Sequence, residues 1–179
     1  YSVTITDQNG CSKQDSIIIT EPTPLVSSLQ SLTNFNGFDL SCFGDSLGLI
    51  DLAVSGSISP YLYSWSNGES SEDIDSLIAG FYSVTITDQN GCSKQDSIIL
   101  TEPTPFIHSS SISHVTCNGF SDGNISIFPY GGISPYNYLW NNFDTSQNSL
   151  NLATGFYSII ITDLNNCIIF DTLYVEEPL

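Results

Sequence analysis

Cysteines are the residues of this chain whose type and spacing most directly suggest chemistry. Cys42 and Cys92 are 50 residues apart, Cys117 and Cys167 have the same separation, and Cys11 has no partner at that distance. Recurring spacings of this kind indicate a disulfide framework, and an odd count normally indicates a free thiol. A disulfide that closes a loop of about 50 residues contributes roughly 3–4 kcal/mol in the chain-entropy model.

Three arrangements of these thiols are compatible with the spacing. We expect the pairs Cys42–Cys92 and Cys117–Cys167, with the partner of Cys11 outside the fragment. A second arrangement joins neighbouring repeats through Cys11–Cys42 and Cys92–Cys117 and leaves Cys167 over. In the third, the cysteines are reduced core thiols.

The cysteines lie in a chain that repeats itself. Residues 1–24 return at residues 82–105 with a single change, Ile19 to Leu100, and a divergent copy covers residues 157–178. A repeat of this length indicates tandem modules. The chain therefore divides into a truncated repeat, a first complete repeat and a second complete repeat, which we place at residues 1–24, 25–105 and 106–179. We expect it to be a piece of a longer array.

Alternating apolar and polar residues predict strands, and turn residues recur every 8–12 positions. Asn9-Gly10 supplies the positive φ of a tight hairpin, and Pro22 and Pro24 end the following strand. With no helical period, each complete repeat is predicted to be an all-β, immunoglobulin-like antiparallel sandwich of about seven strands. The fragment before them is predicted to be the C-terminal hairpin of a truncated repeat. We expect Trp65 and Trp140 to be core residues on a central strand.

Charge excludes several classes of partner. The net charge is -17, with 2 Lys and Arg residues against 19 Asp and Glu residues. Nucleic acid and anionic lipid both require basic side chains, so neither is an expected partner.

An apolar content of 40% argues against a disordered acidic tail. No apolar run reaches the roughly 20 residues of a membrane-spanning helix, so membrane insertion is not expected.

Catalytic and zinc constellations are not apparent in the sequence, and we do not expect an enzyme. The chain has no Arg, no phosphate loop and only two histidines, His108 and His114, both in the second complete repeat. Zinc is disfavoured because the cysteines lack short paired spacings.

Four segments of the second complete repeat resemble the SprB repeat of large surface adhesins of gliding Bacteroidota. They are Cys-Asn-Gly-Phe-Ser-Asp-Gly (117–123), Gly-Gly-Ile-Ser-Pro-Tyr-Asn-Tyr-Leu-Trp (131–140), Leu-Ala-Thr-Gly-Phe-Tyr (152–157) and Thr-Asp-Leu-Asn-Asn-Cys (162–167). The first complete repeat carries the same landmarks in the same order. It departs at Ser57, where the second has Gly132, and the second departs at Asn166, where a hairpin glycine is usual.

The resemblance implies an extracellular filament at the outer-membrane surface, exported by the type IX system and moved by the gliding machinery. On this basis we expect a non-enzymatic stalk or adhesive segment that serves attachment and gliding. Its partners would be neighbouring repeats and a surface polysaccharide or substratum. The alternative is that each module is a lectin-like carbohydrate-binding domain that uses exposed aromatics such as Tyr61, Tyr130 or Phe143.

Two kinds of site remain open at this level. No cofactor is expected, although calcium is a candidate ion because acidic residues cluster near Glu72, Asp73 and Asp75, and Asp122 begins an Asp-Gly-Asn segment. Turn formation explains Asp122 equally well. The pattern Asp-Ser/Thr-aliphatic, which looks like the O-glycosylation signal of exported Bacteroidota proteins, occurs five times. The predicted acceptors are Ser16, Ser46, Ser76, Ser97 and Thr172.

Overall fold

The computed structural model describes residues 1–178 as strands joined by turns and loops. Within that range no helix has the length and apolar character needed to cross a membrane. The fourteen strands, in chain order, are β1 Ser2–Thr6, β2 Ser12–Ser16, β3 Val26–Ser31, β4 Gly48–Ser55, β5 Leu62–Trp65, β6 Ile74–Leu77, β7 Gly80–Thr87, β8 Ser93–Leu100, β9 Ile107–Ser113, β10 Gly123–Tyr130, β11 Asn137–Trp140, β12 Asn148–Leu152, β13 Gly155–Thr162 and β14 Ile168–Val175.

Strands β3–β8 form the first module and strands β9–β14 form the second, each as two antiparallel sheets of three strands. The first module has the orders β3-β4-β6 and β5-β7-β8, and the second has the orders β9-β10-β12 and β11-β13-β14. These orders match the A-B-E and C-F-G strands of an immunoglobulin-like sandwich. The predicted all-β, immunoglobulin-like fold is confirmed, with six strands per module where the sequence suggested about seven.

The core of each module lies between its two sheets. In β7, Val84 and Ile86 are buried, and in β13 their places are taken by Ile159 and Ile161. The intervening residues point to solvent, as the period of two requires. The remaining buried apolar residues come mainly from β4, β6 and β8 in the first module and from β10, β12 and β14 in the second.

Both tryptophans are core residues, as predicted, but they lie on an edge strand. Trp65 in β5 and Trp140 in β11 are buried, and each strand pairs with one neighbour only. Each indole N–H donates to a backbone oxygen at 2.9 Å, Ser71 in the first module and Ser146 in the second. A buried indole N–H needs such an acceptor, so the loop after each strand helps to stabilise the core.

Strands β1 and β2 form a hairpin that stands apart from both cores. Its sequence is repeated in β7 and β8, yet Val3 is 55% exposed whereas its counterpart Val84 is 1% exposed. The same residues therefore form a hairpin in both places, and only the second is covered by an opposing sheet.

Candidate functional site

In each of the two modules a buried aspartate organises the hairpin turn that carries a cysteine. Asp163 follows β13, and its Oδ1 accepts the backbone N–H groups of Asn165 and Cys167 at 2.8 and 2.9 Å. Asn166 closes the turn with a φ of 66°, a conformation that Asn tolerates. The Asp-x-Asn-x-Cys spacing thus fixes the direction of the cysteine.

Asp88 has the same role in the first module, with one additional partner. Its Oδ1 accepts the N–H groups of Asn90 and Cys92 at 3.0 and 2.7 Å, and its Oδ2 accepts the hydroxyl of Ser57. The Ser57 hydroxyl, with the backbone donors, holds the pKa of Asp88 below its usual value. In the second module Gly132 replaces Ser57, and Asp163 accepts the N–H of Ile133 at 2.8 Å instead.

The only disulfide within residues 1–178 joins Cys42 of the first module to Cys167 of the second, with their Cα atoms 5.7 Å apart. The expected pairs Cys42–Cys92 and Cys117–Cys167 are therefore wrong. The alternative pairs Cys11–Cys42 and Cys92–Cys117 are wrong as well. The bond does join neighbouring repeats, but in the opposite sense, from the loop cysteine of one module to the hairpin cysteine of the next.

Module geometry explains why pairing within a module fails. The Cys42 loop lies beside the end of β8, where Asp39 and Leu40 donate N–H groups to the Thr101 carbonyl. The Cys92 turn lies at the opposite end of β7 and β8, about 26 Å away along an eight-residue strand. A disulfide needs Cα atoms within about 7 Å, so the two thiols of one module cannot meet.

Further contacts hold the junction between the modules. The side-chain amide of Asn165 donates to the Ser41 carbonyl at 2.9 Å, and its oxygen accepts from the Asn36 amide at 2.6 Å. The Glu102 carboxylate in turn accepts the N–H of Gly44 at 2.7 Å, which fastens the Cys42 loop to the linker. Loop, linker and hairpin turn therefore form one contact region.

The linker before each module packs against the turn between its second and third strands. Gly132 N–H donates to the Thr104 carbonyl at 3.0 Å, and Ser57 N–H donates to the Thr23 carbonyl at 2.9 Å. A Cβ at Gly131 would overlap with the Pro105 carbonyl, so this close approach requires glycine. The same backbone contact thus recurs at both modules.

A second candidate site lies on the solvent side of the β11-β13-β14 sheet. Leu139, Ile160 and Phe170 stand opposite one another in a row across the three strands. Trp140, Asn141, Phe143 and Ser158 complete the wall of a shallow concavity, which we call the outer-face groove. Large apolar side chains that face solvent together mark a surface that can bind a partner.

Phe143 is the most exposed member of the groove. Its side chain is 88% exposed, and its backbone has a φ of 66°. The left-handed conformation costs a non-glycine residue roughly 1–2 kcal/mol, and Phe143 recovers little of this by burial. The corresponding residue of the first module is Gly68, with a φ of 91°.

The three aromatics proposed as ligand-stacking residues have different environments. Phe143 lies in the outer-face groove, and Tyr130 is 53% exposed at the end of β10. Tyr61 instead packs against the core of the first module and donates its hydroxyl to the Gly56 carbonyl. Tyr61 is thus a packing residue, and sequence reasoning missed Leu139, Ile160 and Phe170 because only the strand register brings them together.

Comparison with known families finds a match in each module. A family model described as the SprB repeat matches residues 38–70, which contain the Cys42 loop and Trp65, and residues 109–145, which contain the Cys117 loop and Trp140. One segment of each module thus matches the SprB repeat. No curated protein matches the chain. The SprB repeat implies a surface adhesin module, and the resemblance drawn from the sequence is confirmed.

Two solved structures are similar to the chain at low identity. The amphioxus IgVJ-C2 molecule is 13% identical, covers 83% of this chain and 95% of its own, and has a TM-score of 0.32. A structure on Dscam isoform specificity is 12% identical, covers 95% of this chain and 52% of its own, and has a TM-score of 0.31.

The predicted glycan acceptors all lie at the surface. Ser97 in β8 and Thr172 in β14 point to solvent at equivalent positions, directly after Asp96 and Asp171. The other three, Ser16, Ser46 and Ser76, are exposed as well. Exposure is compatible with modification, and glycosylation stays a prediction.

The acidic residues named for calcium have other partners or lie apart. Asp73 accepts the N–H of Leu52 at 2.9 Å, and Asp122 accepts both the N–H and the hydroxyl of Thr116 at 3.0 and 2.6 Å. The Thr116 bonds hold the pKa of Asp122 below its usual value. Among the residues described, no three His, Cys, Asp or Glu side chains lie close enough together to hold a metal ion. Glu72 faces Tyr63. Burial and the nearby Glu72 carboxylate raise the pKa of the Tyr63 hydroxyl to about 12.

Proposed function

We propose that this chain is a segment of a cell-surface adhesin filament in which tandem SprB repeats are joined by disulfides. The contact that supports this most directly is the Cys42–Cys167 bond, because it joins two modules. Disulfides persist in oxidising compartments, which agrees with a location outside the cell. Cell-surface location at the outer membrane, type IX export and a role in gliding rest on the family resemblance.

The segment has no enzymatic role in this proposal. Each module buries its apolar residues in a sandwich core, and the junction of loop, linker and hairpin turn limits bending between neighbours. An array of such modules holds its adhesive parts at a distance from the cell surface. Reach and stiffness are then the main contribution of most copies.

The experiment that tests this proposal is staining of intact cells of the source bacterium with an antibody raised against the chain. We expect surface fluorescence on intact cells, and its loss after brief protease treatment. Fluorescence that appears only after the cells are permeabilised contradicts a surface filament. An antibody against a cytoplasmic protein is the control for cell integrity.

The outer-face groove favours a second candidate function, carbohydrate binding by the second module alone. Exposed aromatic rings beside an amide and a hydroxyl, here Phe143 and Phe170 with Asn141 and Ser158, are a combination found in small-molecule sites. Polysaccharide of the substratum is the ligand class that we assign to it. The first module lacks the apolar row and is a spacer in this view.

A glycan array probed with the whole oxidised chain tests the second candidate, with and without calcium. The matched variant Leu139→Ser, Phe143→Gly, Ile160→Thr, Phe170→Gln places the residues of the first module in the groove and so preserves the fold. We expect saturable binding by the natural chain and at least a tenfold loss in the variant. Equal binding by both proteins would exclude the groove as the site.

We also propose O-linked sugars on Ser16, Ser46, Ser76, Ser97 and Thr172 in the native host, where they would coat the filament. Their exposure supports this. Intact-mass measurement of protein purified from the native host, compared with recombinant protein, gives the number of occupied sites. Identical masses would leave the acceptors unmodified.

A further inference from the structure

The surfaces that meet at the junction are also present, unpaired, at the two outer ends of the two-module unit. At the N-terminal end of the first module, Asp88 holds the turn of Asn90 and Cys92 as Asp163 holds that of Asn165 and Cys167. The Cys92 thiol is exposed. This end therefore presents the same donor amide and the same cysteine as the hairpin that is bonded at the junction.

The C-terminal end of the second module presents the other surface of the junction, the one formed by the loop cysteine. The Cys117 loop is fastened to the chain that follows β14, because Gly119 N–H donates to the Glu177 carboxylate at 3.3 Å. This bond repeats the one from Gly44 to Glu102 beside Cys42, at the same separation of 58 residues. The Cys117 thiol is exposed as well.

We infer that Cys117 and Cys92 are half-sites of further inter-module disulfides, and that their partner is another copy of this module. Cys117 takes the hairpin cysteine of a following module, and Cys92 takes the loop cysteine of a preceding one. The argument rests on the continuity of these surfaces with the Cys42–Cys167 junction. It deepens the proposed function, on which it rests, because it names the two cysteines that would join this unit to the modules before and after it.

The proposed bonds would interlock. Cys117 lies inside the loop that Cys42 and Cys167 close, so the loop that begins at Cys117 overlaps the previous one. Every module of the array then lies within a loop closed by a disulfide. Tension along the filament is therefore carried by the disulfides and the short segments between them. Free thiols remain only at the two ends of the array.

Each bond forms by thiol–disulfide exchange with a disulfide oxidant such as glutathione disulfide. The Cys117 thiolate attacks a sulfur of glutathione disulfide and releases one glutathione. The hairpin cysteine thiolate then attacks the mixed disulfide and releases the second. Two protein thiols lose two electrons and two protons, and one glutathione disulfide becomes two molecules of glutathione.

A chain lengthened by one module tests the inference. A second copy of residues 105–179 is placed directly after residue 179, and the protein is refolded with glutathione disulfide. The added copy carries Cys117→Ser, which removes its loop cysteine, and Leu164→Val, which gives its hairpin peptide a mass of its own. A protease that cuts after acidic residues and mass spectrometry of the unreduced peptides then identify the linked cysteines. We expect two linked pairs, Cys42 with Cys167 and Cys117 with the hairpin cysteine of the added copy, while Cys92 and Cys11 stay free.

The Cys42–Cys167 pair is the internal control for folding and oxidation. If that pair forms while Cys117 remains a thiol or joins Cys92, the inference is overturned. It is also overturned if Cys42 and Cys167 do not join, since the inference rests on that junction. Cys92→Ser and Cys11→Ser should leave the new linkage unchanged, whereas Cys117→Ser should abolish it and spare Cys42–Cys167.

Discussion

On the solvent side of its β5-β7-β8 sheet the first module presents small and polar side chains where the second module presents large apolar ones. The exchanged positions are Ser64, Gly68, Thr85 and Gln95 in the first module and Leu139, Phe143, Ile160 and Phe170 in the second. On the other side of the same sheets, Val84 and Ile86 match Ile159 and Ile161, and all four are buried. The inward face keeps its chemistry because it must fill a core, while the outward face is free to differ.

Cysteine pairing is the second difference between the modules. Cys42 and Cys167 are bonded, and their counterparts Cys117 and Cys92 are exposed thiols. The two modules therefore have equivalent cores but different surfaces and different cysteine pairing. Stability measurements should show the similarity of the cores, and cross-linking and surface substitutions should show the differences at the surface.

The largest effect is expected from removal of the inter-module disulfide. Cys42→Ser opens a loop of 125 residues, which the chain-entropy model places at about 5 kcal/mol of stability against complete unfolding. Cys117→Ser, at the equivalent position, removes only an exposed thiol and should change little. Calorimetric unfolding of the two variants, both oxidised, makes the comparison.

Single-molecule stretching between the chain ends gives an independent measure of the same bond. In the oxidised protein the residues between Cys42 and Cys167 cannot extend, and in Cys42→Ser they can. The added contour length is roughly 410–450 Å, from about 3.3–3.6 Å per residue. Equal lengths for the two proteins would show that the bond does not form.

Core tryptophans should give the next largest effect, and it should be nearly equal in the two modules. Trp65→Ala and Trp140→Ala each remove a buried ring and its N–H bond to a loop carbonyl, at a cost of about 3–5 kcal/mol. Calorimetric unfolding of each variant beside the natural chain measures the two costs. A difference of more than about 2 kcal/mol between the two costs would contradict equivalent cores.

Much of this fold could be predicted from local sequence, because alternation, turn residues and the repeat all report on structure within one module. The pairing of Cys42 could not. In a regular array of identical repeats, disulfides within a repeat and disulfides to the next repeat both use one pair of cysteines per repeat, so the spacing does not distinguish them. Only the strand directions show that Cys92 lies at the far end of its module.

Burial was similarly beyond local sequence. Residues 2–6 and 83–87 are identical, yet the first strand is exposed and the second alternates between the core and the surface. The turn makes the hairpin, but only the opposing sheet of the module buries it. The outer-face groove was missed for a related reason, since its row depends on the register of three strands rather than on neighbouring residues.

A smaller effect is expected at the aspartates of the hairpin turns. Asp163→Ala leaves the N–H groups of Asn165, Cys167 and Ile133 without their acceptor, at a cost of about 1–3 kcal/mol. Because it also loosens the turn, oxidation of Cys167 with Cys42 should slow. Denaturant unfolding and the rate of thiol loss measure the two consequences.

Asp88 should make the first module sensitive to acid. Its pKa is lowered in the folded state, so its carboxylate stabilises the fold above the ordinary Asp pKa of about 3.9. That contribution is lost as the pH falls through the lower folded value. Asp88→Asn should therefore flatten the loss of stability as the pH falls below about 4. Ser57→Ala should flatten it in part, because the Ser57 hydroxyl is the main cause of the shift.

The smallest effect is expected at the rim of the outer-face groove, and its sign is its most informative property. Phe143→Gly relieves a left-handed backbone at a side chain that is 88% exposed, so the second module should gain roughly 1 kcal/mol. The reciprocal change, Gly68→Phe, should cost the first module about the same amount. Thermal unfolding of both variants measures the pair. A surface residue that lowers the stability of its own module is consistent with a binding role. A loss of stability in Phe143→Gly would instead make Phe143 a packing residue and remove the strongest argument for the groove.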